Sequence, residues 1–344
     1  MSEPEDYNPH ANYDVKFGKI GVLILNLGTP DGYDFFSLRR YLKEFLLDKR
    51  VIELPRWQWL PILFGIILNI RPHKIKYYYA KIWNKKENES ILKTHTRNQA
   101  IGLSKRLKDI PYAVVEWAMR YGKPSIDNTI DNLKKQGCDR IVIFPLYPQY
   151  SAATTATAQD KVFKKMMHMR WIPSIRAIPP YYDNPYYIAA LNKSVREHLE
   201  SIEWQPEILI TSFHGMPISY FLKGDPYSCH CRKTARLLKE SLSLSDENFR
   251  FSFQSRFGPS EWLQPYTDKT VEQLARNGIK RIAIITPGFS SDCLETKFEI
   301  AHEVKEIFMN NGGEKFTYIP CLNSSDTSID LLEKIIRNEL KGWV

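Results

Sequence analysis

Short motifs recur in the same order in the two halves of this sequence, and that repetition restricts the possible fold more than any other feature. Three pairs of segments correspond: Leu27–Pro30 with His214–Pro217, Arg120–Gly122 with Arg256–Gly258, and Gly137–Ser151 with Gly278–Ser290. Three matches in one order are not expected by chance. We therefore expect two similar halves built on the same plan.

Apolar runs of strand length alternate with longer helical patterns. Strands are predicted at Ile20–Leu25, Ala113–Trp117, Ile141–Phe144, Ile208–Ile210, Phe249–Phe253 and Ile282–Ile285. Helices are predicted at Ser37–Leu46, Asp127–Gln136, Pro185–Glu200, Cys231–Ser241, Thr267–Asn277 and Glu295–Asn310. Nearly continuous apolar runs are typical of strands buried on both faces of a parallel sheet. The repeated motifs follow these strands, where ligands bind in open α/β folds.

The length of 344 residues agrees with two domains, because chains beyond roughly 250–300 residues usually divide. We expect a polar tail over residues 1–17, an N-terminal half over 18–178 and a C-terminal half over 179–344. The tail has no basic or apolar region of a secretory signal, and no apolar run reaches the ~18 residues that span a bilayer.

The net charge of +9 favours anionic partners: nucleic acid, an anionic membrane face or an acidic small molecule. The Lys and Arg residues are scattered and no nucleic-acid motif is present, which disfavours nucleic acid. The cysteines are odd in number, and without a signal peptide they indicate reduced thiols in the cytosol. They are Cys138, Cys229, Cys231, Cys293 and Cys321.

The first half carries an apolar insertion, over residues 56–86, that the second half lacks. Its apolar part, Arg56–Arg71, is too short to span a membrane and suits either a buried helix or an interfacial segment. Tryptophans near one end and a following basic stretch favour an interfacial lip. The predicted lip residues are Trp57, Trp59, Leu60, Ile62, Phe64 and Ile67.

His214 directly follows a predicted buried strand and should point into the crevice. An imidazole there can accept a proton near neutral pH or bind a metal. A histidine that is merely hydrogen-bonded in a loop is the alternative. Leu27 occupies the matching place in the first half, so the backbone alone does not require histidine.

Glu295 begins a predicted helix on which Glu295, Glu299, His302, Glu303 and Glu306 form one stripe. A solvated acidic face is the commonest meaning of such a stripe. Asp292 and Glu295 also fit a capping box, which is a purely structural role. We nevertheless place the start of the helix in the crevice, with Glu295 and His214 from different halves, facing each other across one cleft. The acidic row then suits a cation path or a proton exit.

Cys229-His230-Cys231 could hold a soft metal, but no second pair with matching spacing exists. An exposed loop before a helix is the favoured interpretation, and we expect both cysteines to be dispensable for activity. Phosphate-binding, dinucleotide-binding and hydrolase motifs are absent.

At these residues the chain resembles the ferrochelatases, which complete haem synthesis. The segments that carry the resemblance are Leu23–Pro30, Tyr147–Ser151, Ser212–Pro217, Gly224–Tyr227, Phe253–Gly258 and Ser291–Thr296. They lie in the expected order between about residues 18 and 323, and together they are highly specific.

The resemblance implies two Rossmann-like domains of the chelatase fold, with porphyrin in the cleft between them. It implies that His214 and Glu295 are the catalytic and metal-site residues, and that Glu299 and Glu303 belong to an acidic proton or metal path. Arg120, Tyr121, Tyr147 and Trp262 match substrate-pocket residues, and the apolar insertion matches a membrane-facing lip.

Two departures from the family pattern matter. Some relatives have histidine where this chain has Cys293, so that position needs no imidazole. Some relatives carry an iron–sulfur cluster on four cysteines, often in a C-terminal extension. This chain has no cysteine after Cys321, and we expect no cluster.

The expected function is insertion of Fe(2+) into protoporphyrin IX, by an enzyme bound peripherally to an anionic membrane surface at the cytoplasmic face of the inner membrane. Alternatives are an iron chelatase for coproporphyrin, a cobalt chelatase, or a non-catalytic two-lobed tetrapyrrole-binding protein. Whether His214 binds iron or only accepts protons stays open at this point, and no protein partner is indicated.

Overall fold

The structure, a computed structural model, describes residues 16–344, so most of the tail predicted over 1–17 lies outside the described residues. Its strands are β1 Lys19–Gly28, β2 Trp83–Asn84, β3 Glu89–Ser90, β4 Ala113–Tyr121, β5 Cys138–Pro145, β6 Ser174–Ala177, β7 Ile208–His214, β8 Phe249–Gln254, β9 Arg281–Ile285 and β10 Lys315–Ile319. All six predicted strands are present. β2 and β3 form a separate small antiparallel pair.

The other strands form two parallel four-stranded sheets of the same topology. The N-terminal sheet has the order β4-β1-β5-β6 and the C-terminal sheet the order β8-β7-β9-β10. In each sheet the first strand lies between the second and third, and the fourth lies outside the third. The predicted α/β fold with two similar halves is therefore confirmed.

Helices cover both sheets. They are α1 Phe35–Leu46, α2 Arg56–Ile62, α3 Leu68–Ile82, α4 Ile91–Arg106, α5 Ile126–Lys135, α6 Thr157–Met166, α7 Pro185–Glu200, α8 Ile218–Leu222, α9 Tyr227–Ser241, α10 Thr267–Arg276, α11 Lys305–Asn310 and α12 Asp326–Leu340. Three π-helical segments, Leu63–Ile67, Ala152–Ala156 and Glu295–Val304, precede α3, α6 and α11. The helix predicted at Glu295–Asn310 is thus π-helical over its first part.

The last helix joins the two halves. α12 packs on α4 of the N-terminal half as well as on α7. Arg337 of α12 forms an ion pair with Asp109 at 2.8 Å, and Arg106 of α4 forms one with Asp330 at 2.8 Å. The boundary at residue 178 remains a proposal. Contacts of α12 with the N-terminal half cross it.

The apolar insertion folds as α2, a π-helical turn and α3. The prediction that Trp59 belongs to the lip is wrong: it is 4 % exposed, and its indole nitrogen donates to the Leu46 carbonyl at 2.7 Å. The physical reason is that Trp59 lies on the inner face of α2, whereas Trp57 is 76 % exposed.

Most of the other predicted lip residues do reach the surface. Ile62 and Phe64 are exposed, and Leu60 and Ile67 are half-buried. Ile66 and Ile70, which belong to the predicted interfacial segment but were not singled out within it, are also exposed. Among residues 16–344 no helix combines the length and the apolar character needed to cross a membrane.

Two repeated glycines explain why the motif after the first strand recurs. Gly28 has φ +115°, and a Cβ atom there would overlap the carbonyl oxygen of Tyr121. At the equivalent Gly215 a Cβ would lie 2.7 Å from the carbonyl oxygen of Gln254. In both halves, therefore, the chain after the first strand touches the end of the second strand and leaves no room for a side chain.

We expect Gly28→Ala to lower the free energy of unfolding by roughly 2–6 kcal/mol, because it adds backbone strain to an unavoidable overlap. Gly65→Ala is the matched control, since nothing lies within 4 Å of its Cβ position. Denaturant unfolding of both variants tests this. Equal stability of the two variants would contradict the close approach.

Candidate active site

His214 is the last residue of β7 and pairs in register with Gln254 of β8. Its Nδ1 lies 2.6 Å from the carbonyl oxygen of Gly215. A carbonyl oxygen only accepts, so Nδ1 carries the hydrogen in this contact, and Nε2 keeps a lone pair. The ring is thereby oriented as a proton acceptor or as a metal ligand.

Glu295 follows β9, which is the neighbour of β7 on the other side from β8. The expectation that His214 and Glu295 converge from different halves is therefore wrong, whereas the C-terminal half proposed over 179–344 does contain both residues. The carboxyl ends of adjacent parallel strands meet at one edge of a sheet, so both residues belong to the C-terminal half. Gln254 connects them: its amide nitrogen donates to the Glu295 carbonyl at 2.9 Å.

The side chain of Glu295 nevertheless faces the N-terminal half. It lines a cavity of about 20 Å³ together with Thr29 and Tyr41 from that half, Tyr79 from the lip helix α3, and Cys293. The Thr29 hydroxyl is buried and has no hydrogen-bond partner among the described residues. Glu295 thus lies between the halves, although its backbone belongs to one of them.

The capping-box explanation of Glu295 is not supported. Asp292 is 1 % exposed and accepts hydrogen bonds from Thr296 Oγ1 at 3.0 Å, Tyr318 OH at 2.6 Å and Asn323 Nδ2 at 2.8 Å. Its backbone N–H donates to Asn323 Oδ1 at 2.8 Å rather than to Glu295. Asp292 therefore anchors the loop, and the Glu295 carboxylate is left to face the cleft.

The acidic row continues from Glu295 along the π-helix. Glu299 is half-buried and accepts from the backbone N–H of Ser255 at 2.7 Å and from its hydroxyl. Burial raises the pKa of Glu299, while the hydrogen bonds from Ser255 and the electrostatic effect of nearby His214 oppose that shift. Glu303, the next member, is exposed. The row thus runs from the cleft to solvent.

The π-helix explains why this spacing makes a row. Its i→i+5 hydrogen bonds widen each turn beyond the 3.6 residues of an α-helix, so side chains four positions apart rotate less around the axis. Glu295, Glu299 and Glu303 consequently stay closer to one line than they would on an α-helix.

Arg120 and Tyr121, predicted in the substrate pocket, meet at the carboxylate of Asp48. Arg120 forms an ion pair with it, and the Tyr121 hydroxyl donates to it at 2.9 Å. Tyr121 is fully buried, so it acts through packing and through this bond. Asp48 was not predicted, and no sequence motif marks it.

The other predicted pocket residues lie near His214 or near Arg120. Trp262 packs beside Gly215, where a Cβ would lie 3.2 Å from the indole. Tyr147 is half-buried, and its hydroxyl has no hydrogen-bond partner among residues 16–344, so it is available to a ligand. Their role in binding stays a prediction.

The Cys229-His230-Cys231 segment forms the first turn of α9 rather than a loop before it. Cys231 is buried in the core, and the His230 ring stacks on Tyr182 with centroids 3.7 Å apart. Within the described part of the chain, no cluster of three or more His, Cys, Asp or Glu side chains has the geometry to hold a metal. Replacing Cys231 is therefore expected to affect stability.

Solved structures identify the fold. The sirohydrochlorin chelatase SirB from Bacillus subtilis, in complex with cobalt, aligns with a TM-score of 0.53 and 12 % identity, covering 94 % of this chain and 97 % of that chain. CbiX, described as the terminal enzyme of siroheme biosynthesis in denitrifying bacteria, aligns with a TM-score of 0.51 and 14 % identity, covering 93 % and 100 %. The fold is thus that of the chelatases.

Sequence comparison is more specific. The family model for ferrochelatase matches residues 19–340. Ferrochelatases of Agrobacterium fabrum and Rhizobium etli are each 62 % identical, over 96 % and 100 % of both chains. The chain belongs to the ferrochelatase family, and it is an enzyme that inserts iron into a porphyrin.

Burial of Glu299 predicts a stability cost at neutral pH. A carboxyl group whose pKa is raised on folding binds more protons in the folded state, so the free energy of unfolding falls as pH rises through the window above ~4.3. We expect Glu299→Gln to be at least as stable as the wild type at pH 7 and to turn over more slowly.

The measurement is urea unfolding at several pH values. The advantage of the variant should shrink as pH falls through ~4.3, because below that pH the wild-type carboxyl becomes protonated in the unfolded state as well as in the folded state. A variant that is destabilised equally at pH 4 and pH 7 would show that the carboxylate stabilises the fold and carries no such cost.

Proposed function

We propose that this enzyme inserts Fe(2+) into protoporphyrin IX, with His214 and Glu295 as its catalytic pair. The observation that carries the proposal is their common position. Both lie at the carboxyl edge of the C-terminal sheet, at the inner end of an acidic row that leads to solvent. The porphyrin releases two N–H protons for each ferrous ion it accepts, so the site needs both an acceptor and an exit.

His214 supplies the acceptor. Its Nδ1–H is held by the Gly215 carbonyl, which leaves Nε2 free to take a pyrrole proton. Glu299 is close enough to His214 for the two charges to interact, and it is the next group in the row. A proton that leaves His214 then reaches solvent through Glu299 and Glu303.

Glu295 supplies a carboxylate on the side of the cleft that faces the N-terminal half. An imidazole and a carboxylate together suit ferrous iron, which accepts both nitrogen and oxygen ligands. Glu295 also stands at the head of the row and can pass a proton along it. Iron binding and proton transfer both require the same convergence of His214 with Glu295.

The porphyrin must enter between the halves. The partly open cavity beside Glu295 is about 20 Å³, room for roughly one water molecule and not for a macrocycle. Side chains that line it, among them Tyr79 and Ile82 of α3, must therefore move for the macrocycle to enter there. In the pocket, Arg120 would meet a porphyrin carboxylate, and aromatic walls such as Trp262 would hold the ring, with binding energy bending it.

The lip favours protoporphyrin over coproporphyrin and sirohydrochlorin. Trp57, Ile62, Phe64 and Ile66 form an exposed apolar surface on the insertion. Coproporphyrin and sirohydrochlorin carry more carboxylates and have less need of such a surface. A comparison of turnover with the three substrates, using iron and cobalt, tests this choice.

The same surface suits peripheral attachment to a membrane. Exposed apolar side chains on α2 and the π-helical turn are followed by exposed basic residues on and after α3, among them Lys74 and Lys76. Apolar insertion combined with attraction to anionic lipid is the usual basis of interfacial binding. We propose a location at the cytoplasmic face of the inner membrane.

We predict that His214→Ala lowers turnover by ~10²–10⁴-fold, because no other unperturbed side chain titrates near pH 7. Protoporphyrin should still bind, since the pocket walls remain. Glu295→Gln should also lower turnover, and the double variant should be little worse than either single variant, as for residues that act as one unit. Turnover and porphyrin binding are measured separately.

Glu240→Gln, which breaks a surface ion pair with Arg236, is the control for loss of a carboxylate. Its turnover should match the wild type. If Glu295→Gln also turns over normally with unchanged melting, the shared-site proposal fails.

We predict that changing Ile62, Phe64 and Ile66 to Ser weakens binding to anionic vesicles and leaves the fold intact, because these side chains are exposed. High salt should loosen wild-type binding. The control changes Met167, Trp171 and Ile172, an equally exposed set beyond the end of α6, to Ser. Vesicle co-sedimentation and thermal melting are measured; equal loss in both triple variants, or unfolding of the first, would refute the lip assignment.

A further inference from the structure

Asp48 is a buried carboxylate on which three side chains converge. It lies just after α1, and its side chain is 9 % exposed. It accepts from the Arg120 guanidinium, from the Tyr121 hydroxyl at 2.9 Å and from the Thr157 hydroxyl. Three side-chain donors, together with the backbone N–H of Arg50 at 2.8 Å, define the position of this carboxylate closely.

These contacts also hold the guanidinium group of Arg120 in one orientation. Its Nε donates to Thr157 Oγ1 at 2.7 Å and to the Thr157 carbonyl at 3.0 Å, and its Nη2 donates to Asp48. The guanidinium is therefore held along one edge. Among the described residues Nη1 has no hydrogen-bond partner, so this nitrogen of the guanidinium can still donate to another anion.

Asp48 is ionised despite its burial. Burial alone would raise the pKa of this carboxyl, but the hydrogen bonds from Thr157 and the Arg50 backbone, together with the charge of Arg120, bring it below its usual value. The pair is thus a carboxylate and a guanidinium, and removing one partner leaves a buried charge uncompensated.

The same loop forms the base of the lip. Arg56 of α2 donates to the Leu47 carbonyl, and Tyr220 of the C-terminal half donates to the Val51 carbonyl at 2.7 Å. Arg50 forms a two-pronged ion pair with Asp160, at 2.8 and 3.2 Å. Asp48 is therefore the point where the lip base is bonded to the strand end that carries Arg120.

We propose that Asp48 is a positioning residue that aims Arg120 at a carboxylate of the bound porphyrin and holds it at the base of the lip. The proposal rests on the proposed function, in which Arg120 contacts the substrate. Asp48 itself does not touch the porphyrin. Its effect should appear in porphyrin affinity rather than in the rate of metal insertion.

Asp48→Asn should weaken protoporphyrin binding and raise KM by roughly 10- to 100-fold, the range for loss of a hydrogen bond to a charged group, with a smaller change in kcat. Asp48→Glu, which keeps the charge, should restore part of the affinity. The matched control is Asp160→Asn, which releases Arg50 in the same loop without touching Arg120, and its KM should equal that of the wild type.

The double variant Asp48→Asn/Arg120→Gln should bind porphyrin no more weakly than Arg120→Gln alone, since both changes remove one interaction. If Asp48→Asn does not fold, Thr157→Val, which removes a bond to each of Asp48 and Arg120, should raise KM in the same direction. An unchanged KM in the folded variants, or an equal rise in Asp160→Asn, overturns the proposal.

The two proposals fail differently. If Arg120→Gln binds porphyrin as well as the wild type, the pocket role of Arg120 is wrong and the role of Asp48 falls with it. If Arg120→Gln weakens binding and Asp48→Asn does not, only the positioning role is refuted.

Discussion

The contact between Gly215 and the end of β8 is the constraint on which the active site depends. The Gly215 N–H donates to the Gln254 carbonyl at 2.6 Å, and no side chain fits between them. That closeness sets the direction of His214. The Gln254 side chain then accepts from Ser212 at 2.9 Å and donates to the Glu295 carbonyl, so one amide joins β7, β8 and the start of the π-helix that follows β9. A small change in this contact would therefore move both His214 and the start of the helix that carries Glu295.

Around this contact, polar groups lie in positions where their burial lowers the stability of the fold. Glu299 is held half-buried with a raised pKa, and the segment that carries it is a π-helix, a form that is rare outside functional sites. A network of hydrogen bonds around Asp292 stabilises the loop next to it. Asp292 accepts from three side chains and lies 3.5 Å from the Lys297 ammonium. This saturated network holds the loop in front of Glu295 without using the carboxylate of Glu295 itself.

The central strands and the repeat could be predicted because their apolar runs are continuous, as burial on both faces requires. β6 and β10 were missed, since both are edge strands with partly exposed side chains. α4 was missed because it buries Thr96 and Gln99 in place of an apolar stripe. His214 and Glu295 could be singled out from the sequence as candidates, but their relative position could not be predicted. A repeat shows which segments correspond, whereas strand order decides which strand ends meet. Asp48 has no local pattern, because its partners are distant in sequence.

The position of α12 has a consequence for how the chain is made. This helix is the last in the sequence, yet it covers α4, and Ile329 fits against Gly102 so closely that a Cβ on the glycine would lie 2.8 Å away. Its ion pair with Asp109 joins residues 228 positions apart. Domains commonly fold in order as they leave the ribosome. Here the face of α4 that α12 covers stays open until Asp326–Leu340 has been translated, so the N-terminal half cannot complete its packing before most of the C-terminal half has been made.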